Sequence, residues 1–175
     1  MMTSKQQGDT LIEILVSLVL FAIGMLGIAG MLLLSNKAND SSYAKQQAVQ
    51  CVYDIFDRIR ANTLAATSGN YIISNINSSG LPTVPSQPAA LCNVSVCTPE
   101  QLAAYDTWYW LSNDVSKLPR GSGSIMTVSS GAAGNTLITV TVQWDDSPAQ
   151  SLLGATSATS SSNANWVQLS MQSEL

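Results

Sequence analysis

Residues 8–34 read GDTLIEILVSLVLFAIGMLGIAGMLLL, and the run from Ile14 to Leu34 carries no charged side chain. At about 1.5 Å per residue, this run forms a helix of about 31 Å, which is the thickness of the hydrocarbon core of a bilayer. The run is longer than the apolar part of a secretory signal, and no Ala-x-Ala-like cleavage site follows it. Polar residues come next, so the sequence predicts one retained transmembrane helix.

The composition argues against several classes of protein. The chain has 175 residues, of which 46% are hydrophobic and 10% are charged, whereas soluble domains carry about 25% charged residues. It contains no His, which removes Ser-His-Asp and Cys-His catalysis and every His-ligated metal site. The net charge of -4 argues against a nucleic-acid partner. We therefore expect no enzymatic activity, no cofactor, no metal and no nucleic acid.

Glu13 lies directly before the uncharged run. A carboxylate costs up to a few kcal/mol at the centre of a bilayer and less near an end of the span. Position alone fits two interpretations equally well. In one, the carboxylate lies in the headgroup region; in the other, it awaits a positive partner inside an assembly.

The residues around Glu13 distinguish the two. A short polar leader with Lys5 is followed by Gly8, by Asp9-Thr10-Leu11-Ile12-Glu13 and by the apolar run. This pattern resembles the type III signal of type IV prepilins and related pseudopilins. The resemblance implies that a membrane prepilin peptidase cuts after Gly8 and methylates the new amine on Asp9. The family usually has Phe at that position, so this chain departs from the pattern there.

The resemblance also implies a role for Glu13 in assembly. In the family, the corresponding glutamate pairs with the N-terminal amine of a neighbouring subunit, which here would be the amine of Asp9. A buried carboxylate and a buried ammonium are each costly alone and become tolerable as a pair. Such a pair can therefore set the register between helices.

The helix is expected to continue beyond the membrane. Apolar residues recur there at spacings of three and four, as on one face of an amphipathic helix. We predict a single helix from Asp9 to about Leu64, ended near Gly69-Asn70, and two helices broken near Ser35 to Asp40 are the alternative. The predicted buried face consists of Ala44, Ala48, Cys51, Val52, Ile55, Phe56 and Ile59.

A second helix begins at Thr98-Pro99-Glu100-Gln101. A capping threonine there precedes a proline at the first helical position, and Gln101 completes a capping box. It is expected to reach about Ser116, with a core face of Ala104, Trp108, Leu111 and Val115. Cys92 and Cys97 lie just before it, and a disulfide between them is the favoured pairing in an oxidising compartment. Cys51 would then be a buried thiol, although its pairing with either cysteine stays open.

The last third of the chain has the alternation of β-strands. Strands are expected over Ser124–Ser129, Thr136–Trp144 and Trp166–Gln172, with a turn at Gly131–Asn135 and a long Ser/Thr/Ala-rich connection over Ser147–Asn165. Asp145-Asp146 falls far short of the six oxygens of a calcium site, so a solvated turn is expected there. The predicted inward residues are Ile138, Val140, Val142 and Trp144, then Val167, Leu169 and Met171, and the predicted outward residues are Thr139, Thr141 and Gln143.

Further motifs narrow the resemblance to the PilV-type minor pilins. It implies a pilin-like α+β fold, in which a long N-terminal transmembrane and amphipathic helix packs on a small antiparallel sheet with one extra helix. The motifs are DRIRAN at 57–62, CTPEQLAAYD at 97–106, Trp110, LPRG at 118–121 and VTVQW at 140–144.

These observations divide the chain into four parts. Residues 1–8 form the leader, 9–34 the membrane half of the helix, 35–68 its amphipathic continuation, and 69–175 a globular head with a disulfide-closed loop. Removal of the leader takes Lys5 with it, and the net charge falls from -4 to -5. The resemblance implies a single-pass inner-membrane protein with a periplasmic head, later incorporated into a pilus on the cell surface.

The function that the resemblance implies is structural. The chain would be a minor pilin that helps to start a type IV pilus in a tip complex, with other minor pilins, the major pilin and the inner-membrane assembly platform as partners. One alternative is an adhesive binding module that contacts its target through residues 147–165 and the aromatic helix. Another is a minor pseudopilin of type II secretion.

Overall fold

The computed structural model describes residues 9–76, 84–129, 136–147 and 166–175. These residues fall into two compact units that divide between Asp40 and Ser41, and each unit is described by itself. The elements in chain order are α1 (Asp9–Ala61), α2 (Thr63–Thr67), β1 (Ile73–Ser74), α3 (Pro99–Tyr109), a π-helical turn (Trp110–Asp114), a 3-10 turn (Val115–Lys117), β2 (Ser122–Ser129), β3 (Thr136–Asp145) and β4 (Trp166–Glu174).

Helix α1 is continuous from Asp9 to Ala61. It has no break near residues 35–40, so the single-helix prediction is confirmed and the two-helix alternative is wrong. The helix ends before the predicted Leu64, because Asn62 leaves helical geometry with φ -128° and ψ 58°. The short α2 follows, and Gly69 then adopts a φ of 79° that favours glycine. The predicted stop at Gly69 is confirmed.

In the first unit, α1 is apolar on all sides. Its large hydrophobic side chains between Leu11 and Leu34 are 41% to 75% exposed. Among the described residues, α1 is the one helix long and apolar enough to cross a membrane. A helix that is apolar all round is stable only when lipid or other helices cover it.

In the second unit, the other half of α1 supplies one wall of the core. All seven residues of the predicted apolar face are buried, so this prediction is confirmed. They form one cluster with large side chains from the rest of the unit, including Tyr71, Trp110 and Trp144. Tyr71, which lies between α2 and β1, is fully buried.

The sheet has four antiparallel strands in the order β1-β2-β3-β4. Ile125 pairs with Val140, which in turn pairs with Met171. The inward residues of β3 are buried as predicted, and those of β4 are partly buried against the same core. Strands β2, β3 and β4 are slightly longer than predicted. The sequence prediction missed β1, since its two paired residues are too few to show an alternation.

One predicted outward residue of β3 is buried. Gln143 is only 3% exposed, and its side-chain oxygen accepts a hydrogen bond of 2.8 Å from the amide of Gln168 on β4. Gln143 keeps the predicted side of the strand, opposite to the core residues, and it is buried because this cross-strand partner covers the polar group. A buried amide is tolerated when its hydrogen bond is made.

Helix α3 begins with the predicted capping box. The Gln101 N–H donates to the Thr98 hydroxyl, and the Thr98 N–H donates to the Gln101 side chain. The predicted core face is only partly correct, since Leu111 and Val115 are buried while Ala104 is exposed and Trp108 is half-buried. The residues fully buried in their place are Ala103 and Trp110.

Two causes account for this shifted face. The π-helical turn at Trp110–Asp114 adds a residue to the turn and changes which side chains lie in line. In addition, Asp106 and Thr107 are buried despite their polarity, because each has hydrogen-bond partners inside the unit. Neither cause is visible in a pattern of apolar residues.

Trp110 occupies a site shaped by its neighbours. Its indole N–H donates to the main-chain oxygen of Cys51 at 2.8 Å. Strand β2 passes so close that a Cβ at Gly123 would lie 2.5 Å from the Trp110 ring. Glycine is therefore required at 123 for the sheet to approach the indole.

We predict that Gly123→Ala destabilises the second unit by about 1–3 kcal/mol, the usual cost of an extra methyl group in a packed core. Urea unfolding of the detergent-solubilised chain, followed by tryptophan fluorescence, measures this loss. Gly27→Ala is the matched control, because a Cβ there meets nothing within 4 Å. An unchanged free energy of unfolding in Gly123→Ala would contradict the packing described here.

Candidate functional site

The residues predicted for processing and assembly lie at the start of the chain. Gly8 lies outside the described residues. Asp9 is the first residue of α1, and its side chain is outside the description. Glu13 lies on the next turn and is exposed. Sequence position i and i+4 places the two residues on the same side of the helix.

Glu13 introduces polarity into an otherwise apolar surface. It is the one charged residue between Leu11 and Leu34. Ser17, one turn further on, donates its hydroxyl to the Glu13 main-chain oxygen at 2.7 Å, so this bond does not neutralise the carboxylate. Once lipid or neighbouring helices cover this surface, the carboxylate requires a positive partner. The arrangement is suited to docking between helices.

Three glycines lie on the same half of α1. A Cβ added at Gly24, Gly27 or Gly30 would meet no atom within 4 Å. The packing within this chain therefore does not require glycine at these positions. Glycine lets the backbone of another helix approach closely, which agrees with a helix used for docking.

The motifs of the second unit are brought together around Asp106. This carboxylate accepts 2.8 Å and 3.2 Å hydrogen bonds from the Tyr71 hydroxyl and the Arg58 guanidinium. Arg58 also donates to Asp54 at 2.7 Å and lies 4.8 Å from the centre of the Tyr109 ring. The DRIRAN motif of α1 is thus bonded to the last residue of the CTPEQLAAYD motif.

The charges in this cluster stabilise one another. Burial alone would lower the pKa of Arg58, but its hydrogen bonds and charge pairing with Asp54 and Asp106 outweigh burial and raise that pKa. Burial is the largest cause of the raised pKa of Tyr71, and its hydrogen bond to Asp106 adds to the effect. Arg58 therefore stays charged and Tyr71 stays neutral over the physiological pH range.

Asn62 connects the same two motifs a second time. Its side-chain amide donates to the main-chain oxygen of Pro99 at 2.7 Å and to the Tyr71 hydroxyl at 3.3 Å. The residue that ends α1 therefore also positions the start of α3. The two motifs therefore form a structural framework between α1 and α3.

The LPRG motif has a comparable structural role. Arg120 has a φ of 51°, which is uncommon for a residue other than glycine. The strand residue Asp145 supports this turn twice, since its N–H donates to the Pro119 oxygen at 2.9 Å and its carboxylate lies 3.4 Å from the Arg120 guanidinium. The Arg120 guanidinium also lies 5.2 Å from the Trp166 ring centre.

The prediction of a solvated turn at Asp145-Asp146 is wrong. The two residues are 7% and 4% exposed. Asp145 pairs with Arg120 and accepts from the Ser147 N–H, while Asp146 accepts a 2.9 Å hydrogen bond from the Ser41 hydroxyl. Their partners come from distant parts of the chain, so the dipeptide alone gave no sign of burial. Within the described ranges, no group of three or more His, Cys, Asp or Glu side chains could hold a metal ion.

The cysteines divide into one disulfide and one thiol. Cys92 and Cys97 are joined, and Cys51 is free and buried. The open alternatives that paired Cys51 with either partner are therefore wrong. Burial, with the nearby carboxylate of Asp114 as a smaller cause, raises the pKa of the Cys51 thiol to about 11. A thiol with such a pKa is a poor nucleophile at neutral pH.

The aromatic side chains of α3 are used mainly inside the unit. Tyr105 is buried, and its ring centre lies 5.8 Å from that of Trp108 and 6.0 Å from that of Tyr109. Trp108 and Tyr109 are half-buried. The other surface predicted for a binding module, residues 147–165, lies outside the described residues except for Ser147, as does the predicted turn at 131–135.

The comparisons with known proteins agree with this arrangement. Residues 31–108 match a family model described as type IV pilin Tt1218, and residues 3–29 match one described as the prokaryotic N-terminal methylation motif. No curated protein sequence and no solved structure matches the chain.

The fold and the two family matches together support one class of protein. A long N-terminal apolar helix, a small antiparallel four-stranded sheet and a further helix form a pilin-like α+β fold. The two family matches support a type IV prepilin-like protein with a role in a pilus and with pilus-assembly partners. Pilins are a structural family and not a family of enzymes.

We predict that Asp106→Ala destabilises the second unit by about 2–4 kcal/mol, because Arg58 and Tyr71 lose their buried acceptor. Denaturant unfolding of the solubilised chain measures the loss. Asp57→Ala is the matched control: it removes an exposed 3.4 Å ion pair with Arg60, for which a change of about 0.5 kcal/mol or less is expected. Equal effects of the two substitutions would contradict the importance of the Asp106 cluster.

We also predict a pH-dependent contribution from Cys51. Its folded pKa of about 11 lies above the ordinary value of 9.0, so the neutral thiol contributes stability that is complete below pH 9 and is lost as the pH rises towards 11. The difference in unfolding free energy between the parent chain and Cys51→Ala should therefore shrink across this window. Measurements in buffers from pH 7 to 11 check it, and a constant difference would refute the buried thiol.

Proposed function

We propose that this chain is a PilV-type minor pilin that takes part in the initiation of a type IV pilus. In this proposal the prepilin peptidase cuts after Gly8, and the chain that begins at Asp9 joins other minor pilins in a complex at the pilus tip. The major pilin and the inner-membrane assembly platform are its further partners. The head faces the periplasm before assembly and reaches the cell surface with the pilus.

The observation that carries the proposal is Glu13. It is exposed on a helix surface that must be covered, and the chain supplies no cation between Leu11 and Leu34. The free amine of Asp9 on a neighbouring subunit has the required charge at the end of an equivalent helix. Pairing the two removes two unfavourable charges at once, so a correctly placed neighbour is favoured over a displaced one.

The subfamily assignment is supported by the head. The DRIRAN, CTPEQLAAYD and LPRG motifs are joined by the Arg58–Asp106 bond, the Asn62–Pro99 bond and the Arg120–Asp145 contact. The three motifs would therefore occur together, because their contacts maintain one head structure. The match to a type IV pilin model supports a pilus over the alternative of a type II secretion pseudopilus.

The adhesive binding module receives less support. The aromatic side chains of α3 contact one another and Arg58, so little of their surface remains for a ligand. A head that serves mainly as a rigid subunit agrees better with these contacts.

We predict that Glu13→Ala lowers incorporation into sheared pili by about tenfold or more, because a neighbour's buried ammonium left without its carboxylate costs several kcal/mol. Glu13→Gln should behave similarly, since it keeps the shape and removes the charge. Immunoblotting of pilus and membrane fractions measures the distribution. Asp40→Ala is the matched control, as it removes another exposed carboxylate of α1 outside the apolar run.

Intact mass of the membrane-extracted chain completes this experiment. The proposal requires the parent and all three variants to begin at Asp9 in cells that contain the prepilin peptidase, and at Met1 in cells that lack it. Processed Glu13→Ala that enters pili as well as Asp40→Ala would refute the docking role of Glu13. A chain that keeps Met1 in both strains would refute the pilin pathway and favour a membrane-anchored binding module.

A further inference from the structure

The residue that follows the proposed cleavage site is itself an acid. Asp9 is the first residue of α1, and in the proposed function cleavage after Gly8 gives it a free amine. The new ammonium and the carboxylate then belong to one residue. A group that approaches the amine therefore also approaches the carboxylate, whichever way the side chain is turned.

The apolar half of α1 consequently holds unequal numbers of positive and negative groups. After the proposed cleavage it has one cation, the amine, and two carboxylates, those of Asp9 and Glu13. The next Lys or Arg in the sequence is Lys37. Glu13 is exposed on a helix surface whose large apolar side chains are exposed as well. Charge left unbalanced in such an apolar contact is costly, so the charge of a neighbour decides whether it can dock there.

A second copy of this chain does not balance these charges. When Glu13 of one copy meets the amine of another copy, it also meets the Asp9 carboxylate of that copy. The contact then contains two carboxylates and one ammonium, and like charges brought together at an interface disfavour that partner. A neighbour whose first residue is uncharged brings its ammonium alone, and Glu13 balances it.

We propose, on the basis of the minor-pilin function above, that Asp9 is a specificity-determining residue of the docking contact. Its carboxylate disfavours a second copy of this chain and directs Glu13 to a different pilin subunit. Chemistry defines that subunit: it has an apolar helix that begins with a free, cationic amine on an uncharged residue. The charge of Asp9 thus acts against the wrong partner, which is one of the two ways in which interfaces obtain specificity.

A purely structural role for Asp9 predicts a different outcome. An acidic residue in the first turn of a helix stabilises that helix through its dipole. Asn has nearly the shape of Asp, is favourable at a helix N-terminus as well, and carries no charge. Asp9→Asn therefore removes the repulsion and retains the helix, which circular dichroism of the variant checks. If Asp9 only stabilises α1, this substitution leaves the choice of partner unchanged.

Sedimentation equilibrium of the processed full chain in detergent measures self-association. Intact mass first establishes that the parent and the variants begin at residue 9. We expect Asp9→Asn to self-associate about tenfold more tightly than the parent, and the double variant Asp9→Asn/Glu13→Gln to lose this gain. Asp40→Asn is the matched control, because it removes an exposed carboxylate of α1 outside the apolar run, and it should associate as the parent does.

Synthetic peptides of residues 9–36 test the choice of partner on the unaltered protein. All carry a dye at the C-terminus and Glu13→Gln, so that each offers only its first residue to the chain. The first peptide has Asp9→Asn and a free amine, the second keeps Asp9 and a free amine, and the third has Asp9→Asn and an acetylated amine. We expect the immobilised full chain in detergent to bind the first peptide about tenfold more tightly than either of the others. A full chain with Glu13→Gln should bind all three equally weakly.

Three results would overturn the role of Asp9 in partner choice. They are equal binding of the first two peptides, a parent chain that self-associates as tightly as Asp9→Asn, and a gain in Asp9→Asn that survives Glu13→Gln. The second of these would assign the docking contact to another copy of this chain. Failure of the minor-pilin role has a separate signature, since the chain would then keep Met1 in cells that contain the prepilin peptidase. Equal peptide binding by a correctly processed chain refutes only the specificity of Asp9.

Discussion

The head depends on one buried carboxylate. Asp106 is 5% exposed and accepts from Arg58 of α1 and from Tyr71, which precedes β1. A charge taken out of water is costly unless its hydrogen bonds are complete. Removing one hydrogen-bond partner therefore leaves part of this desolvation free energy uncompensated. The position of α3 relative to the second half of α1 is therefore strongly specified. The fully buried Trp110 then follows on the same segment, where it bonds the Cys51 oxygen and packs against Gly123.

The two units satisfy opposite physical requirements. The head covers the apolar face of its half of α1 with its own sheet and with α3, so the buried residues of that face need no partner outside the chain. The first half of α1 exposes every large apolar side chain together with Glu13, and its surface becomes stable only against lipid or other helices. The proposed docking function therefore lies on the part of the chain that is incomplete by itself.

The motifs that distinguish the head have a physical explanation in these contacts. Arg58 and Asn62 on one side, and Pro99 and Asp106 on the other, come from segments far apart in sequence and bond directly. Arg120 and Asp145 repeat this relation between the LPRG turn and the end of β3. The polar residues of these motifs therefore bond to partners in distant segments of the chain. Their partners show that they fasten elements together.

Much of this molecule followed from local pattern. Short spacings in the sequence determined the helices and the principal strands. The features that depend on such spacings are the uncharged run, the buried stripe of α1, the capping box at Thr98, the stop at Gly69 and the alternation of β3. Glu13 was found in the same way, because a carboxylate beside an apolar run is conspicuous. Only the tertiary structure decided four other features. They are the end of α1 at Asn62, the buried face of α3, the two residues of β1, and the burial of Gln143, Asp145 and Asp146. In each of those cases a polar group is buried, or a backbone segment is paired, by a partner distant in the chain, and no local periodicity records such a partner.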